Sequence, residues 1–227
     1  MARRGVIIVA GGSGSRMQSS LPKQFMILGG EPVVARTINT FSEALPGAEI
    51  VVVLPQEHIA LWKNLAARFH VAAHKCVAGG KERFDSVKCG IEALSPEVEY
   101  VAIHDGVRAL VSKRLIISAM LKIESVDALI PVVDAVDSYR VVEGEESEVI
   151  SRTKLRIVQT PQVFRGDILR RAYEQEYDPR FTDDATVVES LGVKVTLIKG
   201  ERSNIKLTTP EDMIYAEAMI GQTKKLF

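Results

Sequence analysis

Two isolated cations, Arg16 and Lys23, follow a glycine-rich turn in GVIIVAGGSGSRMQSSLPKQF, residues 5–25. Gly11, Gly12 and Gly14 lack side chains, so backbone amides beyond Ala10 can approach a polyphosphate closely, with Arg16 and Lys23 in reach of it. A triphosphate attacked at its α-phosphorus concentrates charge at the reacting centre and on the departing pyrophosphate, and fixed cations in a partly dry site lower that barrier. The same side chains are equally compatible with solvated surface charges, and their spacing does not separate the two readings.

Two common phosphate loops are excluded. A dinucleotide fingerprint GxGxxG starting at Gly12 and Gly14 meets Met17 at its third position, and no acid closes a second strand about twenty residues on. No window supplies a glycine, four residues and then Gly-Lys-Ser/Thr, so an ATPase P-loop is absent.

The elements that must position this loop have a βαβ rhythm. Short β-branched runs (GVIIVA, AEIVVVLP, VEYVAIHDG, ALIPVV) alternate with segments of helical period (PVVARTINTFSEA, EHIALWKNLAARF). Val6–Ala10 and Ile50–Leu54 are apolar without alternation, as in a parallel sheet covered by helices on both faces. Ligands of such sheets sit at the carboxyl ends of the strands, where the glycine loop falls. The rhythm lapses over 134–155, where two β-prone runs flank the acidic EGEES and predict a projecting hairpin. After it come RIVQTPQVF, a helix near Asp167–Gln175, the strand VKVTLI and a last helix opened by TPEDM.

Composition narrows the class. The 227 residues, 46% of them hydrophobic, suit a single α/β domain over 1–227. Twenty-nine basic and 29 acidic residues cancel, so nucleic acid and anionic membrane surfaces are not expected partners, and any anion is bound locally. Two cysteines, Cys76 and Cys89, form no metal-ligand or disulfide pattern and suit a reducing cytoplasm. The apolar run after MARR is too short for a signal segment or a membrane span.

Further motifs carry chemistry. In VAIHDGVRAL, residues 101–110, an apolar strand ends in His-Asp and brings Asp105 to the sheet's carboxyl edge. One carboxylate there suits Mg2+, which takes one or two protein carboxylates and completes its octahedron with water and phosphate. His104 reads as a packing residue beside that loop rather than a base. AGGKERFDSV, residues 78–87, offers a tight turn and a helix start, and Gly80 and Ser86 have plain turn and helix explanations there.

These motifs, in this order, resemble the 2-C-methyl-D-erythritol 4-phosphate cytidylyltransferase family. Its members carry a glycine loop, an arginine and Pro-Lys-Gln-aromatic, here Arg16 and Pro22-Lys23-Gln24-Phe25. The resemblance implies a Rossmann-like nucleotidyltransferase fold. It implies CTP held by Ala10, Gly11, Gly12, Gly14, Gly80, Arg83, Ser86, Gly106 and Arg108, with Asp105 on Mg2+. Ala109 stands where the family has proline.

VISRTKLRIVQTPQVF resembles the segment in which Arg152 grips the substrate phosphate from the neighbouring subunit's arm, so a homodimer through the hairpin is implied. Ser138, Thr160 and Thr182 match positions lining the polyol phosphate pocket. GERSNIKLTTPED matches the closing motif and makes Lys206 the group that aligns triphosphate and incoming phosphate.

The implied activity joins CTP to methylerythritol phosphate and releases pyrophosphate, with Arg16, Lys23, Arg152 and Lys206 as catalytic groups. A ribitol 5-phosphate cytidylyltransferase shares several of the motifs. A sugar-nucleotide pyrophosphorylase and a non-catalytic nucleotide-binding module are further alternatives.

Overall fold

The computed structural model describes residues 2–12 and 21–225, so Gly14 and Arg16 lie outside the described residues. The main sheet is built on β1 (Arg4–Val9), β4 (Glu49–Leu54), β5 (Lys75–Ala78) and β6 (Tyr100–Asp105). They lie in the order β5-β4-β1-β6, all parallel. β2 (Ile27–Leu28) and β3 (Glu31–Pro32) form a separate small hairpin after the glycine loop.

Beyond β6 the sheet continues through β11 (Gln162–Arg165) to β7 (Ala128–Asp134), with β12 (Val195–Lys199) parallel to β7. β10 (Arg156–Val158) and β11 run antiparallel to β7, and β11 also to β6, so the sheet is mostly parallel, as expected, with a reversed strand inserted between β6 and β7 that RIVQTPQVF did not announce.

Alternate residues of each central strand feed two cores, which is why these strands show no polar face. Val6, Ile8, Val52 and Leu54 pack under α1 (Val33–Ala44), α2 (Ile59–Arg68) and α4 (Lys113–Lys122). Ile7, Val51, Val53 and Ile103 pack under α3 (Arg83–Ala93), α5 (Gly166–Ala172) and α6 (Asp184–Glu189). The predicted helix near Asp167–Gln175 is α5, which begins one residue earlier and ends at Ala172. The last helix, α7 (Pro210–Lys225), starts at the predicted proline, with Asp212 Oδ2 accepting from the amides of Thr208 and Thr209 at 2.7 and 2.8 Å.

β8 (Tyr139–Glu143) and β9 (Glu146–Ile150) form a two-stranded sheet apart from the main one, turning at Gly144, whose φ is +61°. Val142 and Val149 are 66% and 72% exposed on it. Among the described residues, no helix is long and apolar enough to cross a membrane.

Helix α3 sits close on the sheet because Gly90 faces it. A Cβ there would come within 2.6 Å of Ile7 Cγ2 and 3.2 Å of Val53 Cγ2, both fully buried. Gly90→Val is expected to destabilise the protein by about 1–3 kcal/mol through overpacking, read by urea unfolding; an unchanged midpoint would contradict this packing.

Candidate active site

The chain moves from β1 to β4 and β5 on one side and returns to β6 on the other, so a crevice opens at the carboxyl ends where the order reverses. A cleft of 530 Å³ occupies it. Gly11 and Gly12 follow β1, Pro55 follows β4, Gly79 and Gly80 follow β5, and Asp105 closes β6. Lys23, Arg83, Ser86 and Lys206 complete the part of the lining that bears on chemistry.

Lys23 opens a short 3₁₀ turn, Lys23–Phe25, and its Cε lies where a Cβ on Gly12 would be 3.8 Å away. Phe25 anchors that turn: it is 1% exposed and stacks on Trp62, with centroids 5.9 Å apart. Trp62 in turn donates to His74 Nε2 at 2.9 Å.

On the α3 side of the cleft, Glu82 and Asp85 form a capping box that starts α3 and fixes Arg83 and Ser86. A Cβ at Gly79 would sit 2.6 Å from Ser86 Oγ, and one at Gly80 would overlap Asp85, so this turn requires glycines.

Asp105 is 7% exposed and meets three cations: Lys206 Nζ at 3.1 Å, Arg108 Nε at 3.2 Å and Arg83 Nη2 at 3.7 Å. Burial alone would raise its pKa, but Arg83, Lys206 and Arg108 override that and hold it well below the usual carboxylate range.

Lys206 is brought there by a loop pinned on several sides. Leu207 N donates to Val107 O at 2.9 Å, and fully buried Asn204 donates from Nδ2 to Thr160 O at 2.8 Å. Arg108 Nη1 donates to Asn204 O at 2.9 Å. The turn carrying Ala109 is closed by Arg108 N donating to Asp105 O and Val111 N to Arg108 O, so it is fixed without the family's proline.

Several predicted residues have other placements. Thr160 is buried; its Oγ1 accepts from Asp105 N at 3.1 Å and lies 2.9 Å from His104 Nδ1. Because His104 Nε2 faces Arg108 O at 3.3 Å, that ring carries its proton on Nε2, and the Thr160 hydroxyl donates to Nδ1. The hydroxyl is thus committed inside the protein rather than to the cleft.

Gly106 does not line the cleft; it permits the close approach of β6 to β1, where a Cβ would sit 2.9 Å from Ala10 Cβ. Arg108 acts on Asp105 and the 204 loop and is likewise absent from the lining. Ser138, Arg152 and Thr182 are exposed outside the cleft, and Arg152 Nη1 donates to Val136 O at 2.7 Å.

The sequence reading missed Asp184, which is fully buried and accepts from Nη1 and Nη2 of Arg83 at 2.7 Å each. Its only local signal was the paired acid of FTDDA.

Among the described residues, no group of three or more His, Cys, Asp or Glu could hold a metal by itself. The site nevertheless fits Mg2+ delivered with a triphosphate: one ionised carboxylate at the strand end, beside glycine amides and cations able to hold the phosphates.

A family model described as 2-C-methyl-D-erythritol 4-phosphate cytidylyltransferase matches residues 5–222. A protein of that name from Bacteroides fragilis is 46% identical over 218 residues, covering 96% of this chain and 99% of its own. Another from Porphyromonas gingivalis is 41% identical over 220 residues, covering 96% and 98%. The crystal structure of 4-diphosphocytidyl-2C-methyl-D-erythritol synthase from Anaerococcus prevotii superposes with a TM-score of 0.82 at 29% identity, covering 97% of this chain and 96% of that one.

His104 is buried against Phe41, and burial pushes its pKa down to about 3. An unfolded histidine titrates near 6.5, so between these values the unfolded chain binds the extra proton. Stability is therefore expected to fall as pH drops from about 6.5 towards 3, with a shallower decline in His104→Gln, as read by thermal melts across that range. Identical slopes in the two proteins would contradict a buried neutral His104.

Proposed function

The chain belongs to the 2-C-methyl-D-erythritol 4-phosphate cytidylyltransferase family, and on that premise we propose how its own residues carry the reaction. The activity is a CTP-dependent nucleotidyl transfer to 2-C-methyl-D-erythritol 4-phosphate, giving 4-diphosphocytidyl-2-C-methyl-D-erythritol and pyrophosphate for non-mevalonate isoprenoid synthesis. The observation that carries the mechanism is the convergence of Lys206, Arg108 and Arg83 on Asp105 in a cleft that also holds Lys23 and the Gly11–Gly12 backbone.

In the proposed step, an oxygen of the substrate phosphate attacks the α-phosphorus of CTP. A new P–O bond forms, the bond to the bridging α–β oxygen breaks, and its electron pair leaves on pyrophosphate. The nucleophile is already anionic near neutral pH, so no proton has to be removed. That is consistent with the absence of histidine among the described residues of the cleft lining and with a His104 turned inward and kept neutral.

Lys23 and Arg16 neutralise charge developing on the α-phosphoryl and the leaving group, and the amides of Gly11 and Gly12 cradle the triphosphate. Gly80 and Ser86 border the base and ribose, supported by the capped start of α3. Asp105 holds Mg2+, which screens phosphate charge and orients the triphosphate when bound. Lys206 lies between that carboxylate and the open cleft, where it can align the incoming phosphate.

Residues 134–155 are proposed as a dimerisation arm delivering Arg152 and Ser138 to the partner's polyol phosphate pocket, where Thr182 of the receiving subunit also contributes. The exposed valines of an isolated hairpin support this, because a two-stranded sheet is marginal alone and gains from packing on a second subunit. Free, half-buried Cys76 and Cys89 suit a cytoplasmic setting.

Pyrophosphate release with CTP and Mg2+ is expected with methylerythritol phosphate and not with ribitol 5-phosphate; release with ribitol 5-phosphate alone would move the protein to polyol phosphate activation. In the same assay Lys23→Ala should lower kcat by about 10²–10³ while CTP affinity changes little. An unchanged kcat with a raised KM would remove Lys23 from the chemistry. Sedimentation is expected to show a dimer that becomes monomeric when residues 139–150 are deleted; a deletion variant that stays dimeric would contradict the arm.

A further inference from the structure

Asp184 has no assigned part in the reaction, yet it is one of the most constrained charges in the molecule. It is fully buried at the first position of α6, behind the capping box of Asp183 and Thr186. The next residue's amide, Ala185 N, donates to Gln162 Oε1 at 2.9 Å. The Asp184 carboxylate accepts from Nη1 and Nη2 of Arg83 at 2.7 Å and from the Tyr173 hydroxyl at 2.7 Å. Phe84 stacks on Tyr173 with centroids 4.7 Å apart and on Phe181 at 5.8 Å, so the start of α3 and the segment before α6 are tied together around this pair.

The consequence lies at Asp105. Arg83 Nη2 is 3.7 Å from Asp105 Oδ1, beyond hydrogen-bond range, while Lys206 and Arg108 stand at 3.1 and 3.2 Å. Arg83 is thus held one ångström short of the carboxylate by a stronger, bidentate partner. We propose that Asp184 is a positioning residue that restrains Arg83, keeping one oxygen of Asp105 open to the divalent ion of the CTP complex. This rests on the reading of Asp105 as the metal-holding residue.

Without the Asp184 charge, Asp105 is the nearest carboxylate to Arg83, and a guanidinium bonded to it competes directly with the cation. By Coulomb's law at an effective dielectric of about 20, closing that gap to about 2.8 Å costs the metal about tenfold in affinity.

The test titrates Mn2+ into the enzyme–CTP complex by electron paramagnetic resonance, alongside calorimetry of metal-free CTP, with folding checked by circular dichroism. Asp184→Asn is expected to weaken Mn2+ about tenfold without weakening metal-free CTP. The double variant Arg83→Gln/Asp184→Asn removes the competitor with its restraint, leaves no unpaired buried charge, and, measured at CTP concentrations that saturate it, is expected to bind Mn2+ within about threefold of wild type.

Wild-type affinity in a folded Asp184→Asn, or a tenfold loss persisting in the double variant, would overturn the proposal. If the single variant does not fold, the double variant decides by the same criterion. Asp105→Asn separates the two claims: if it binds Mn2+ as tightly as wild type, the metal reading itself fails and the restraint falls with it.

Discussion

The carboxylate of Asp105 is the point on which the site turns. It sits at the last residue of β6, mostly shielded from water, and is kept ionised by Lys206, Arg108 and Arg83, which come from three different parts of the chain. Burying such a charge is unfavourable unless it is paired and hydrogen-bonded. Arg108 Nε meets that condition by donating to Oδ2 at 3.2 Å beside Lys206, while Thr160 accepts from the Asp105 amide, His104 accepts from Thr160, and Asn204 ties the Lys206 loop to the same turn. The result is a small, net-cationic floor in a protein with equal numbers of acids and bases, the local charge that the proposed binding of a triphosphate requires.

The scaffold serves that arrangement. Central strands buried on both faces fix β1 and β6 side by side, with Val9 paired to Asp105 in the ladder. Gly11, Gly12 and the carboxylate therefore open onto the same cleft. Lys23 reaches it through an aromatic anchor, since Phe25 is wedged against Trp62 and the turn cannot shift without breaking that stack. Pre-positioned charge of this kind lowers a barrier because it needs no reorganisation as the reaction proceeds.

The legible part of the fold was the part written in local pattern. Unbroken apolar runs such as VIIV and IVVVL announced two-sided parallel strands, TPEDM announced the last helix, and the strand ending in His-Asp located Asp105. The reversed strands were not legible, because QTPQ is polar and turn-like; Gln159 and Thr160 are nonetheless buried there by bonds to the 201–204 loop and to Asp105. Arg83 was found by its motif, but its partner Asp184 lies 101 residues away and left no periodic trace. Gly106 and Thr160 were flagged through resemblance, and the fold shows a packing reason for the first and an internal hydrogen-bond reason for the second.

The central claim is that the triphosphate and its cation meet at Asp105 under the Gly11–Gly12 backbone. The most direct measurement is anomalous diffraction from crystals grown with Mn2+ and a non-hydrolysable CTP analogue. The account predicts an anomalous peak bridging the Asp105 carboxylate and the triphosphate, with the phosphates against Gly11, Gly12 and Lys23. A triphosphate bound away from those residues, or a cation with no contact to Asp105, would contradict it.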